Sequence, residues 1–235
     1  MLSILCANSS AQLIESASQA SISDVIQFTN NTYGVNQQFL NGRFHEYKYR
    51  DALGHPFFLE NQYTEGDLVL HGTLYHGIPM KYDIYSQEII VRATINKREL
   101  PFYPPAEFIN SFRIYGKDFE RRSSITETPS YFQIVAEEGQ ISCLYFWYKT
   151  RQESDHKQTF NSFKFDKAKH INYLIINDEI YRFNSKKSFK KSFPNEFRNE
   201  LSRYLKSEKI KIKSVSDSAM KDLINYSQAL LNGIK

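Results

Sequence analysis

The chain has 235 residues, of which 41% are apolar, 15% aromatic and 24% charged; only nine are Gly, and the formal net charge is +4. Glycine is well below its ordinary share of roughly 7%, which together with the apolar content excludes a collagen-like chain, a flexible linker and wholesale disorder. No run approaches the ~20 apolar residues that carry a helix across a bilayer.

At the N-terminus, Met1 to Cys6 is a short apolar run followed by small residues through Ala11. Small residues before a break are what a signal peptidase accommodates, although the basic segment that normally precedes the apolar run is missing. Residues 1–11 therefore read as the remnant of a truncated signal peptide. The expected location is exported: periplasmic, outer-membrane-associated or secreted. The competing reading is a short apolar terminus packed on the domain. With that segment removed Cys143 is the one remaining thiol, so stability must come from a core and not from an internal disulfide. Cys143 lies in the apolar run Ile141 to Trp147 and reads as a small core residue, not a nucleophile.

Residues 12–63 read as a polar arm and loops, with weak apolar spacing at Val25, Ile26 and Phe28. Period two begins near residue 64 and runs to about 184, which predicts an antiparallel β domain. Asp67 to Tyr75 is expected as one strand, His76-Gly77 as its turn, and Met80, Tyr82 and Ile84 as the next strand. Glu88 to Arg92 completes a three-strand meander. Pro101, Pro104 and Pro105 mark a loop, and Phe108, Phe112 and Ile114 a strand before Gly116. Tyr131 to Val135 and Ile141 to Tyr148 flank a turn at Glu137-Glu138-Gly139-Gln140. Phe160, Phe163 and Phe165 suggest another strand, and Asn177-Asp178 joins a last hairpin.

From residue 185 the spacing becomes helical. Phe189 and Phe193 lie four apart, Pro194 suits a first helical turn, and Phe197, Leu201, Tyr204 and Leu205 share a face. Ser216-Asp217 caps a last helix that Asn232-Gly233 ends. The expectation is α+β: a strongly curved sheet or open barrel over 64–184, followed by two or three short helices over 185–235 packed on it.

The segment from Leu40 to Val91 carries Leu40-Asn41-Gly42, Gly54-His55-Pro56-Phe57-Phe58, Gly66, Tyr75-His76-Gly77 and Lys81-Tyr82-Asp83-Ile84-Tyr85. With Ser185 to Pro194 it resembles a family of uncharacterised exported proteins of Bacteroidota bacteria. That resemblance implies export into the envelope and brings no catalytic residues with it. It also brings to mind O-glycosylation at Asp-Ser/Thr-small sites, which Asp217-Ser218-Ala219 fits. Physically, Gly42, Gly66 and Gly77 are expected at turns, Gly54-His55-Pro56 as a turn delivering Phe57 and Phe58 into a core, and Asp83 as a brace for a neighbouring loop.

Phosphate-binding glycine loops, nucleophile elbows and zinc motifs do not occur in the sequence. His71 and His76 do not read as a metal pair, and no cofactor is expected. Glu137-Glu138 read as solvated loop residues. The clearest departure from uniformity is charge: Lys186, Lys187, Lys190, Lys191 and Arg198 lead a basic stretch from Arg182 to Lys213. A basic face attracts lipid phosphates or acidic polysaccharide; nucleic acid is disfavoured by export. Phe189 and Phe193 interleave with those lysines, which allows a membrane-associating turn; the plainer alternative puts both rings in the core. Three functional readings follow. The first is a non-enzymatic module that binds an envelope protein or an anionic envelope component. The second is a carrier holding an apolar or lipid-like ligand inside a curved sheet. The third is a glycan-active enzyme.

Overall fold

The computed structural model describes residues 42–95, 98–153 and 163–233. The expected signal remnant, the polar arm up to residue 41, Cys6 and Phe160 lie outside the described residues. Eleven strands form one antiparallel sheet. In chain order they are β1 (Arg43–Phe44), β3 (Thr64–Leu70), β4 (Thr73–Asp83), β5 (Glu88–Ile95), β6 (Arg98–Tyr103), β7 (Ile109–Ile114), β8 (Lys117–Arg122), β9 (Ser130–Glu138), β10 (Ile141–Tyr148), β13 (Lys169–Ile176) and β14 (Glu179–Phe183). Across the sheet the order is β1-β6-β5-β4-β3-β7-β8-β9-β10-β13-β14. A small second sheet joins β11 (Arg151–Glu153), β12 (Phe163–Phe165) and β2 (Ala52–Leu53), with β12 and β2 parallel.

The sheet is strongly curved and open. Only residues 104–108 link β6 to β7, a reach of at most about 20 Å, and part of that length is spent in the 3-10 turn Ala106–Phe108. In the sheet β5, β4 and β3 lie between β6 and β7, which on a flat sheet would be about 19 Å. The meander must therefore curl towards β7. Across the curl, Tyr82 of β4 meets Tyr131 of β9 with ring centroids 6.0 Å apart, and the Tyr131 hydroxyl donates to the Ala106 carbonyl. The sheet does not close, and β6 and β7 share no ladder.

The hairpins differ from expectation in two places. Glu137 and Glu138, expected in a hairpin loop, are the last residues of β9 and pair with Ser142 and Ile141, which leaves Gly139-Gln140 as the turn. The turn joining β3 to β4 is His71-Gly72, both at positive φ (51° and 76°), as a tight hairpin turn requires. Gly77, at φ 63°, lies inside β4 near an irregularity in the β3–β4 register. Gly66 is not at a turn either: a Cβ there would lie 2.3 Å from the Arg113 carbonyl oxygen, so its strand needs glycine for close backbone approach. Three strands after residue 95 escaped the sequence pattern: β6, β8 and the short, exposed β11. β6 contains Pro101, tolerated beside a short edge strand, and β8 reads Lys-Asp-Phe-Glu-Arg-Arg with Phe119 as its one apolar residue. Residues 42–63, expected as arm and loops, contribute β1 and β2 and wrap the outside of the curl.

Three helices follow: α1 (Lys186–Lys191), α2 (Arg198–Ser207) and α3 (Asp217–Leu231). Ser185 and Ser188 form a capping box on α1, and Ser216 caps α3 by accepting from Ala219 N. Leu201 and Leu205 of α2 and Met220, Leu223, Ile224 and Leu230 of α3 pack on the inner face of β9, β10, β13 and β14, against Val135, Cys143, Tyr145, Leu174 and Phe183. A second core fills the curl with Phe58, Met80, Tyr82, Val91, Phe112, Phe119 and Tyr131. Trp147 touches both cores. A third, smaller one joins Phe57, Ile90 and Tyr103 on the outside of the curl.

Candidate functional site

The aromatic content is packed ring on ring. Phe112 and Phe119 stack at 4.8 Å, and both Tyr82 and Phe58 meet Phe119 edge-on at 5.3 Å. Tyr82, Phe58 and Phe119 are at most 1% exposed. These rings occupy the space inside the curl.

The motif residues of the N-terminal half work together at one end of it. Gly54, at φ 83°, turns the chain into His55-Pro56. The Pro56 carbonyl accepts from Ile84 N, and Phe58 N donates to the Tyr82 carbonyl. Successive residues then point to opposite sides: Phe57 enters the outer core and Phe58 the core inside the curl. The His55 ring stacks on Phe57, and its carbonyl accepts from Lys149 Nζ at 2.7 Å. Burial, and then the Lys149 charge, hold His55 below its ordinary value. Tyr82 donates its hydroxyl to Gln87 Oε1 at 2.6 Å, and Gln87 Nε2 reaches the Ile84 and Trp147 carbonyls. Asp83 is 2% exposed, and its Oδ1 accepts from the N–H groups of Tyr85 and Ser86 at 2.8 and 2.9 Å. Burial pushes its carboxyl up. Gly77 lies apart, in the bulged part of β4. This set clamps the chain by hydrogen bonds and ring contacts.

A polar link that the sequence did not disclose joins the helices to the sheet. Asp217, the first residue of α3, accepts from Lys117 Nζ of β8 and from Gln133 Nε2 of β9. Gln133 in turn accepts from Trp147 Nε1 at 2.7 Å. The carboxylate of Asp217-Ser218-Ala219 is thus an anchor, while Ser218 is exposed. Burial pushes the Cys143 thiol well up, away from the thiolate that a nucleophile needs.

The five cations of the basic cluster divide into two groups. Lys186 Nζ donates to the Leu205 carbonyl, near the end of α2, at 3.1 Å; Lys190 Nζ donates to Ser202 Oγ at 2.6 Å; Arg198 reaches the Phe193 and Lys191 carbonyls. These three tie α1 to α2. Lys187 and Lys191 are exposed, as are Arg203, Lys206, Lys209, Lys211 and Lys213 further along. Phe189 and Phe193 are 0% and 2% exposed, so both rings belong to the core and neither can enter a membrane. The surface left on this side is cationic and hydrophilic.

His71 stacks on Phe108, and His76 pairs with Asp67 across the β3–β4 hairpin. Among the described residues no group of three His, Cys, Asp or Glu side chains is arranged to hold a metal. Glu137 pairs with Arg122. A shallow groove of about 390 Å³ crosses the outer face of β3, β7 and β8, with Val69, Leu74 and Ile134 in its floor. Its carboxylates are paired: Asp118 bidentate with Arg113, Asp67 with His76 and Glu120 with Arg122. No helix among the described residues is long and apolar enough to cross a membrane. Compared with protein-family models, with curated proteins and with solved structures, the chain matches none.

Proposed function

We propose that the chain is a non-enzymatic binding module of the cell envelope that holds an anionic envelope component on the basic face of its C-terminal helices. The exported location rests on the apolar N-terminal run and on the resemblance to Bacteroidota exported proteins. The observation that carries the binding reading is the division of the cluster. Lys186, Lys190 and Arg198 are held by partners within the fold, while Lys187 and Lys191 of α1, Lys206 of α2 and Lys209 just after it are exposed, and their side chains carry no hydrogen bond or ion pair among the described residues; Arg203 is exposed but paired with Glu200. Cations without partners on one face attract phosphate or carboxylate groups. Because Phe189 and Phe193 are buried beneath them, the contact is electrostatic and not insertional, and so falls with added salt. The rings filling the curl favour binding at the surface over carriage inside.

The test is co-sedimentation with vesicles of phosphatidylglycerol and phosphatidylcholine, and in parallel binding to an immobilised acidic polysaccharide. Lys187→Gln with Lys191→Gln and Lys206→Gln is expected to abolish binding at low salt without changing thermal stability. Unchanged binding by that variant, or no binding of the unaltered chain to either anion, overturns the proposal.

A further inference from the structure

The shallow groove on the outer face of β3, β7 and β8 is the middle part of a longer one. A hollow of about 330 Å³ at Tyr115 and Gly116 shares Asp67 and Arg113 with it. Another of about 180 Å³, at Ser123 and Pro129, shares Asn110 and Glu120. The three therefore follow β7 from its beginning through its middle to its end. The six residues of that strand span about 20 Å at the rise of an antiparallel strand.

Strand register fixes what faces this groove. One row across the sheet is Leu74, Val69, Ser111 and Glu120; the next is Asp67, Arg113 and Asp118. The alternate residues Phe112 and Phe119 are buried inside the curl. Leu74 is 51% exposed, so with Val69 it offers solvent an aliphatic strip beside polar groups. The charges in the middle neutralise one another: Arg113 holds Asp118 at 2.6 and 2.7 Å, and Arg122 holds Glu120 at 2.6 Å. The bidentate pair fixes both side chains and still leaves Arg113 Nη1 and further lone pairs on Asp118. Asn110 is held in the same way. Its Oδ1 accepts from Gly72 N at 2.9 Å, and its amide N–H groups remain over.

We infer that this groove binds an extended, uncharged oligosaccharide. Each sugar hydroxyl both donates and accepts, which suits donors and acceptors fixed side by side, and the C–H faces of the rings suit the aliphatic strip. Groups already held in place lose little freedom on binding. Tyr115 adds an aromatic ring at one end. An acidic chain fits badly, because Glu65 and Glu107 add carboxylates at the two ends of a neutral middle. An extended peptide fits badly too. It binds a sheet by pairing with a free edge, and β3, β7 and β8 are each paired on both sides. The groove lies on the outer face of the sheet and the helices pack on the inner one, so this inference does not rest on what the basic face binds.

The test is isothermal titration of the full chain with cellotetraose, maltotetraose, chitotetraose and mannotetraose. Binding of at least one of them is expected, unchanged by added salt because no net charge is involved. It is expected to be at least about tenfold tighter than binding of the matching disaccharide, which covers only part of the groove. Ser111→Tyr, which fills the middle, and Leu74→Asp, which charges the aliphatic strip, are each expected to weaken it at least about tenfold. Lys187→Gln with Lys191→Gln and Lys206→Gln is expected to leave it unchanged, which separates the groove from the basic face. Circular dichroism checks that each variant keeps its strands; Leu74, already exposed, tests the groove even where Ser111→Tyr unfolds. No binding of any of these tetrasaccharides overturns the inference. So does binding that falls with salt, that is no tighter than for the disaccharide, that is lost in the lysine variant, or that is indifferent to Leu74→Asp.

Discussion

Asp83 is a buried acid whose work is done by an acceptor oxygen, not by its charge. Its Oδ1 takes two backbone N–H groups at the turn after β4, while burial raises its carboxyl above the ordinary 3.8. The folded chain therefore binds this proton more tightly than the unfolded chain does. That contribution is full below 3.8 and is lost as pH rises through the raised value. Asp83→Asn keeps the acceptor and removes the desolvated charge. It is expected to raise the midpoint of thermal unfolding at neutral pH, with the gain vanishing on acidification. Asp83→Ala strands both N–H groups and is expected to cost about 1–3 kcal/mol in urea unfolding. His170 has the opposite sign. Its ring lies between Tyr145 and Trp147 at 4.3 and 4.6 Å, and burial holds it below 6.5. Stability from the neutral ring is full above 6.5 and declines as pH falls below it. His170→Phe keeps the stacking and is expected to make stability fall less steeply on acidification below that value, as followed by urea midpoints. At this scale the sequence marked Asp83 as a brace from its neighbours on β4. It could not mark His170, because the rings that bury it come from another strand.

Among the elements, hairpins were legible where the turn residues are unambiguous. Asn177-Asp178, at φ 50° and 67°, and Gly139 lie where the pattern put them. The His71-Gly72 and His76-Gly77 pairs look alike in sequence, and only pairing partners decide which one turns. The structure gives the turn to His71-Gly72 and a bulge to Gly77. Gly66→Ala is accordingly expected to destabilise by more than Gly77→Ala, because its Cβ collides with the Arg113 backbone while that of Gly77 meets open space. Denaturant midpoints of the two variants check the order. The attachment of α3 has a comparable single point. Asp217→Ala leaves Gln133 Nε2 and Lys117 without their acceptor, and Gln133 is 2% exposed. The expected result is a loss of about 1–3 kcal/mol, with faster amide exchange in α3 than in β10. The cationic stretch was readable as composition, but which cations are free was not, because Lys186 and Lys190 find their partners on a different helix.

For the whole molecule, the opening excess of aromatic residues acquires a place. Most of it lies within and around a sheet that curls until five residues suffice to link β6 to β7, and its rings fill the space that curling encloses. The α+β order of strands then helices was legible because period two gives way to period four at one point. The curl was not, because it depends on which strands are neighbours. A filled interior leaves the surface as the place where this chain meets other molecules, and the cationic helical face as the first candidate. Native mass spectrometry of the protein purified from cells without detergent tests that claim most directly. The account predicts masses that are whole multiples of the bare polypeptide, with no lipid retained. A stoichiometric lipid or other apolar ligand that survives gentle ionisation and leaves only on unfolding would contradict it.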